Sequence, residues 1–335
     1  MSPASDPIRP ALRTAAVSPG SRIVGTGHYR PRRVMTNQDL EQLVETSDEW
    51  IRQRTGIESR RIAAEGEGVP QMATEAARAA LADAGADPSE ITQVIVATCS
   101  NTERSPSAAG RVAQALGIPA AAAFEVGAAC SGFEHALAVA DMSIRTGASS
   151  VSLVIGAEEL SAFTDYSDRT TCILTADGAG AMVLRASEEP GIAPVVWGTV
   201  PELADAVTIT AAEGTGGGPY FAQQGRQVLG WALREAPAIA RRIVEAAGLT
   251  IEDIDVFVPH QANLRMIEPL AAALGLREDA VVADDIITSG NTSAATIPLA
   301  VSRLREAGRT PAGATALLIG FGGGFAWAGQ VVRLP

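Results

Sequence analysis

Lysine is absent from all 335 residues of this chain, so its 26 cationic side chains are all arginines. That absence excludes Schiff-base catalysis, a pyridoxal-phosphate lysine and a P-loop lysine together. Cysteine is scarce: only Cys99, Cys130 and Cys172 are present, too few and too scattered for a disulfide framework or a thiolate zinc site. Three histidines likewise cannot build a dense metal cluster. No apolar stretch reaches the ~18 residues that a membrane helix needs. Positive charge is also short, with 38 acidic residues against 26 basic ones and a net charge of −12. Nucleic-acid binding, which relies on a basic surface, is therefore not expected. Residues 1–20 are rich in Ala, Pro and Ser and lack a continuous apolar core. They read as a loose leader on a cytoplasmic protein and not as a secretory signal.

What is present is a repeat. Residues 76–96, AARAALADAGADPSEITQVIV, and residues 239–258, IARRIVEAAGLTIEDIDVFV, both read as a helix ending at glycine, a turn and a strand. Gly85 and Gly248 are 163 residues apart, as are Ile91 and Ile254. The strand-like runs ending at Gly156 and Gly320 are 164 apart. Two segment pairs sharing one offset imply a duplicated α/β unit of roughly 160 residues. Arg22–Gly25 is expected to open the first half (21–175), and Ala181–Leu184 the second (176–335). Both halves alternate short β-branched runs with Ala-rich helices, so the fold class is α/β, with a helix pair buried between two sheets.

Cys130 lies in Gly127-Ala128-Ala129-Cys130-Ser131-Gly132-Phe133, where an apolar run turns into a helical pattern. A helix N-terminus favours thiolate over thiol, and small neighbours admit a thioester, so Cys130 is the candidate nucleophile. Cys99 and Cys172 flank apolar runs and read as small buried hydrophobes. Offsets of 161 and 162, close to the repeat spacing, place Asn291 opposite Cys130 and His260 opposite the strand end at Thr98. Cys, His and Asn in that order fit a papain-like hydrolase, but the C-G-[SA]-C-[WY] context is missing. They also fit carbon–carbon bond formation through an acyl-enzyme. There His and Asn donate hydrogen bonds to a second thioester carbonyl, whose malonyl group decarboxylates to an enolate. Asn abstracts no proton, which suits this chemistry.

The segments GTGHYRPRRVMTN (25–37), TSDEWIRQRTGIESR (46–60), GAACSGF (127–133), PHQANLR (259–265), GNTSAA (290–295) and GFGGGFAW (320–327) run from near residue 21 to the C-terminus. Jointly they resemble the β-ketoacyl-acyl-carrier-protein synthase III family of the thiolase superfamily. The resemblance implies a thiolase-like fold of two pseudo-symmetric halves in αβαβα layers. It also implies condensation of an acyl-CoA primer with malonyl-acyl carrier protein, initiating fatty-acid biosynthesis. Cys130 would accept the acyl group, His260 and Asn291 would serve decarboxylation, and the N–H groups of Cys130 and Gly323 would form the oxyanion hole. Coenzyme A enters as a substrate thioester, with no cofactor and no metal. Trp50 and Arg169 would sandwich its adenine, with Thr46, Arg54 and Asn263 nearby. Gln261 and Arg265 would dock the carrier protein, with Arg226, Arg234, Arg241 and Arg242 as further basic candidates; where family members carry a basic residue this chain has Gly230.

The same resemblance puts Ser105, Leu229 and Phe321 at the acyl pocket. Ser105 replaces a Phe of some members and Leu229 a usual Phe, a smaller wall suited to longer or branched primers. The loop between 200 and 225 is short and glycine-rich. A homodimer is implied, with segment 101–106 near the partner subunit. Two related functions stay open: a starter-unit priming ketosynthase of a polyketide pathway, and an acyltransferase without condensation. A dinucleotide site is not expected, because Gly25-Thr26-Gly27 is followed by Arg30 where a third glycine is required. His28 and His135 read as structural.

Overall fold

The computed structural model describes residues 17–211 and 218–335. The leader read over 1–20 and the glycine-rich loop between 200 and 225 thus lie partly outside the described residues. Five strands form the first large sheet: β1 (Gly20–Tyr29), β2 (Gln93–Ala97), β3 (Ala122–Val126), β4 (Val151–Glu159) and β5 (Asp177–Ser187). Five more form the second: β6 (Val196–Thr199), β7 (Val256–Pro259), β8 (Val281–Val282), β9 (Thr315–Phe321) and β10 (Ala326–Arg333). Their spatial orders are β1-β5-β4-β2-β3 and β6-β10-β9-β7-β8, the same first-fifth-fourth-second-third topology.

That topology moves the boundary between the halves. Asp177–Ser187 pairs antiparallel with β1 (Ile23 opposite Leu184) and with β4 (Val154 opposite Met182). It therefore closes the first sheet, and the second begins at Val196 and not at Ala181. A run such as Ala181–Leu184 fits either sheet as a strand buried on both faces. Only its pairing partners decide which.

The principal helices are α1 (Asp48–Thr55), α2 (Val69–Ala84), α3 (Ala108–Leu116), α4 (Gly132–Arg145), α5 (Gly225–Ala246), α6 (Leu264–Leu274) and α7 (Thr296–Glu306). Their ends follow local chemistry. The Ser107 side chain accepts from Gly110 N to start α3, which stops at Gly117 in the left-handed region (φ 68°). The repeat is visible at the same level: Gly85 and Gly248 both carry positive φ after their helices. Each is followed by a one-turn 3₁₀ segment with a capping box, at Asp87–Glu90 and at Thr250–Asp253.

Side-chain alternation along the strands sorts the layers. Ile95, Val154 and Met182 of the first sheet and Val256, Val258 and Leu318 of the second pack around Phe133 and Leu137 of α4 and Ile297 and Val301 of α7. Their neighbours Val94, Val96, Leu153 and Ile155 face α2 and α3 on the opposite side. Phe257, Leu317 and Ile319 face α5 and α6. The result is a thiolase-like αβαβα stack with α4 and α7 in the central layer. Full burial of a side chain such as Phe133 or Ile297 stabilises the stack by about 1.5–3 kcal/mol. Gly156 lets the two halves touch at the top of this layer, since an added Cβ there would overlap the carbonyl oxygen of Ala294.

Candidate active site

Two tight turns start the central helices. One, Ala129–Ser131, precedes α4, and the other, Ser293–Ala295, precedes α7. Ala129 (φ 44°) and Ser293 (φ 47°) hold the left-handed conformation that side chains rarely adopt. They are 164 residues apart, so the positional equivalent of Cys130 is Ala294, and Asn291 lies three residues earlier than symmetry alone would place it. Strain of this kind persists only where surroundings over-determine it. Here those surroundings are the other half of the molecule.

Cys130 is 7% exposed. The Ser293 hydroxyl, which is hydrogen-bonded to Cys99 Sγ at 3.7 Å, and the backbone N–H groups of Gly323 and of Cys130 itself lie near the Cys130 sulfur and favour its thiolate. Burial nevertheless outweighs these donors and pushes the thiol up to about 11. The thiolate expected from the start of α4 is thus not the resting form: desolvation exceeds what the helix terminus and three donors return. The chain opposite must be glycine. At Gly322 a Cβ would sit 2.5 Å from Cys130 Cβ and 2.8 Å from its Sγ.

His260 follows the end of β7, its N–H bonded to Ile319 O at 2.8 Å. Its ring lies edge-on to Phe321 with centroids 6.1 Å apart, and its Nδ1 is 2.8 Å from Thr296 Oγ1. Burial drops its pKa to about 3, so the ring is neutral at physiological pH. Asn291 is clamped to the first half, its N–H donating to Leu174 O and its carbonyl accepting from Ala176 N. Its Oδ1 accepts from Ser293 N at 2.9 Å. Among the described residues, neither Asn291 Nδ2 nor His260 Nε2 has a protein hydrogen-bond partner, and neither atom is sealed from the interior space.

Ser293 joins the three groups. Its hydroxyl contacts Cys99 Sγ in the cavity that Cys130 also lines, its amide fixes Asn291, and its carbonyl lies 2.9 Å from the Thr296 hydroxyl that contacts His260. Neither Ser293 nor Thr296 was singled out by sequence reasoning, although both stand within or beside the GNTSAA segment. Glu158 was missed as well. Its buried carboxylate accepts from Thr98 Oγ1, Cys99 N, Ser100 N and, across the halves, Ala294 N. Glu134, one turn beyond Cys130, has both oxygens buried without a partner. Burial raises its pKa well above the carboxylate range, so it adds no charge near the sulfur.

Beside the sulfur is a cavity of about 250 Å³ lined by Cys99, Leu160, Val207, Ile209, Phe221 and Gly323, among others. None of the three residues expected at the acyl pocket lines it. Leu229 belongs to the outer groove, and Phe321 is packed behind His260. Ser105 is exposed in a segment tied to β3, with Asn101 Nδ2 donating to Glu125. Spatial neighbours of Cys130 come instead from the hairpin Val207–Ala211/Pro219–Gln223, which sequence proximity does not reveal.

The outer groove, about 670 Å³, is lined by Trp50, Arg54, Arg169, Asn263 and Arg265, and by Arg226 and Leu229. The Trp50 ring is faced by the guanidinium groups of Arg54 at 5.1 Å and Arg169 at 5.3 Å. Asn263 caps α6, accepting from Arg265 N. Thr46 does not line the groove, and its hydroxyl is buried without a partner. Gln261 departs from expectation. It is buried, donating to Pro259 O at 2.7 Å and accepting from Ile286 N, so it braces the loop after β7 and presents nothing to a docking protein. Of the other arginines, Arg241 bonds to Ala273 O and Leu274 O, and Arg242 covers Trp327, away from the groove.

Comparison with known proteins decides the family. Two profiles match: 3-oxoacyl-[acyl-carrier-protein (ACP)] synthase III over residues 124–201, and its C-terminal part over 244–334. Beta-ketoacyl-[acyl-carrier-protein] synthase III 2 of Streptomyces avermitilis is 55% identical over 319 residues, covering 94% of this chain and 99% of the relative. This chain belongs to the 3-oxoacyl-[acyl-carrier-protein] synthase III family. Synthase III 4 of Streptomyces coelicolor is 53% identical over the same shares. Among solved structures, the priming β-ketosynthase from the R1128 polyketide biosynthetic pathway superposes with a TM-score of 0.94 at 40% identity. That match covers 97% of this chain and 99% of the other. The Aquifex aeolicus synthase III superposes at 0.88 and 40% identity, over 94% of this chain and all of its own. As a synthase III family member, the chain is an acyl-transferring condensing enzyme. Among the described residues no helix is long and apolar enough to cross a membrane.

The state of Cys130 is open to measurement in substrate-free protein. Its alkylation by iodoacetamide, followed by mass spectrometry, should rise about tenfold per pH unit between about 7 and 10. This is the behaviour of a thiol still protonated at neutral pH. A rate already level near pH 8 would mean that the donors around the sulfur outweigh its burial.

Proposed function

We propose that the chain condenses an acyl primer with malonyl-acyl carrier protein in two half-reactions. In the first, the Cys130 sulfur bonds to the acyl carbon of an acyl-CoA, coenzyme A leaves as a thiol, and the Cys130 proton goes with it. In the second, the malonyl thioester loses CO₂ and the released electron pair forms an enolate. The enolate carbon bonds to the acyl carbon, and the Cys130 sulfur leaves and takes up a proton. The product is a β-ketoacyl thioester on the carrier, the first step of fatty-acid synthesis.

One observation carries this reading. Two neutral groups, the Asn291 amide and the His260 ring, are held in place by Ser293 and Thr296, and among the described residues neither Asn291 Nδ2 nor His260 Nε2 spends a hydrogen bond on the protein; with the ring proton on Nε2 both are donors. Such donors stabilise a developing oxyanion and cannot act as a strong base. A papain-like pair would need a thiolate beside an imidazolium, and burial opposes both charges here. Simple transfer to an alcohol would need a general base in place of Asn291. The Cys130 and Gly323 amides, near the sulfur, support the oxyanion role for the acyl step. Trp50, Arg54, Arg169 and Asn263 give the groove stacking surfaces and cations for the nucleotide of coenzyme A. Arg265 at its rim is the best-placed cation for an acidic carrier. Free cysteines suit a reducing compartment, which we take to be the cytoplasm.

The second reading, starter-unit priming in a polyketide pathway, is favoured by cavity size and by likeness to the R1128 priming enzyme. A cavity of ~150 Å³ suffices for a six-carbon ring. The 250 Å³ beside Cys130 therefore has room for more than an acetyl group. A second copy of the chain is also proposed. Strand β3 is the last in its sheet, carries Ala122 and Phe124 among its residues, and is incompletely covered. The Ser105 segment flanks that edge, where it would approach the cavity of the partner.

Incubation with radiolabelled acyl-CoA should label Cys130, and ketoacyl product should require malonyl-carrier protein. Asn291→Ala should still load but lose about 10²- to 10³-fold in condensation. Unchanged condensation in that variant would overturn the assigned role. Across a panel of acetyl-, isobutyryl- and hexanoyl-CoA, the primers of four to six carbons should react with higher kcat/KM than acetyl-CoA; acetyl preference would show that the cavity walls close on the substrate. Light scattering at micromolar concentration should return twice the 34.5 kDa chain mass, and a monomer would remove β3 as an interface.

A further inference from the structure

We propose that Thr296 is a positioning residue for condensation, directing its hydroxyl at His260 Nδ1 and so placing the ring proton on Nε2. The proposal rests on the condensing role assigned above. A neutral imidazole carries one N–H, and the hydrogen bond made by one nitrogen settles which nitrogen bears it. His260 Nδ1 lies 2.8 Å from Thr296 Oγ1, and among the described residues it has no other partner. That hydroxyl owns one hydrogen and has two acceptors in reach, Nδ1 and the Ser293 carbonyl at 2.9 Å. The carbonyl is already satisfied, because the backbone N–H of Thr296 donates to it. Turning the hydroxyl to Nδ1 therefore leaves no buried acceptor bare.

The opposite choice puts the ring proton on Nδ1 and leaves a lone pair at Nε2. A lone pair there would repel the enolate oxygen that Asn291 is oriented to receive. Thr296 is 2% exposed and opens α7, so its side chain is held by the same helix that carries Ser293 and Asn291 at its start. One turn would thus orient both donors: Asn291 through the Ser293 amide, and His260 through the Thr296 hydroxyl.

Nitrogen-15 NMR of histidine-labelled protein tests the tautomer directly, with the His260→Ala spectrum used to assign the ring. Wild type should be protonated at Nε2, and Thr296→Val, which keeps the shape and removes the hydroxyl, should shift toward Nδ1. Thr296→Val should lower kcat for condensation by about tenfold or more, less than loss of a donor outright. Its KM for malonyl-carrier protein and its rate of Cys130 loading should stay within about twofold of wild type, and Thr296→Ser should recover the condensation rate. Nδ1 protonation in wild type, an unmoved tautomer in Thr296→Val, a serine variant as slow as the valine one, or loss of loading together with condensation in folded protein would each overturn the proposal. Should the valine variant fail to melt cooperatively, the wild-type spectrum and the serine variant still decide it. A wild type that loads but never condenses would sink the assigned function, while the NMR result would still judge Thr296.

Discussion

The turn that carries Ser293 is the constraint on which the site depends. With a left-handed backbone, Ser293 turns its hydroxyl toward Cys99 Sγ in the cavity both share with Cys130, its amide toward Asn291 and its carbonyl toward Thr296. An ordinary helical or extended residue could not present all three groups in those directions. The conformation is unfavourable for a residue with a Cβ, and the packing between halves holds it there. Gly156 allows the next residue's carbonyl to lie against the first sheet, and Glu158 accepts the Ala294 amide from the other side. The interface of the duplicated units is therefore also the device that aligns the chemistry.

Charge is kept out of this interior. The thiol of Cys130 is raised, the imidazole of His260 is lowered, and Glu134 is held protonated, all chiefly by desolvation. Glu158 is buried beside them, its side-chain oxygens surrounded by donors from the strand end at Thr98–Ser100. Where mobile charge and water are scarce, fixed N–H dipoles act with little screening. A set of neutral donors in such surroundings recognises an anion that exists only during reaction, which is what an enolate is.

Outside this dry centre the chemistry reverses. The outer groove exposes Arg54, Arg169, Arg226 and Arg265 around Trp50, on a chain whose net charge is −12. Arginine is suited to that place because its planar cation both stacks on rings and binds phosphate. The lack of lysine thus takes nothing from the site. The inner cavity, by contrast, is walled by Leu160, Val207, Ile209 and Phe221, which offer shape and no charge.

Much of this was legible in the chain. Cys130, His260 and Asn291 could be named because element ends recur at a near-constant spacing, and glycines, caps and apolar runs are local signals. Trp50, Arg54, Arg169 and Asn263 could be named because they sit in recognisable segments. Other features needed the third dimension. Whether Asp177–Ser187 belongs to one sheet or the other depends on its hydrogen-bond partners. Gln261 looked available for docking until its amide was found spanning Pro259 and Ile286. Ser105, Leu229 and Phe321 do not line the cavity of this chain, whose walls include a hairpin some eighty residues from Cys130 in sequence. The protonation of Cys130 was the largest reversal: a helix terminus can be read from a sequence, but burial cannot, and desolvation is the larger force here. Sequence by itself determined which side chains exist to react and roughly where each element ends, since those follow from local residue chemistry. Only the tertiary structure decided which groups meet, which are buried and whether the Cys130 sulfur keeps its proton, because those depend on neighbours far apart along the chain.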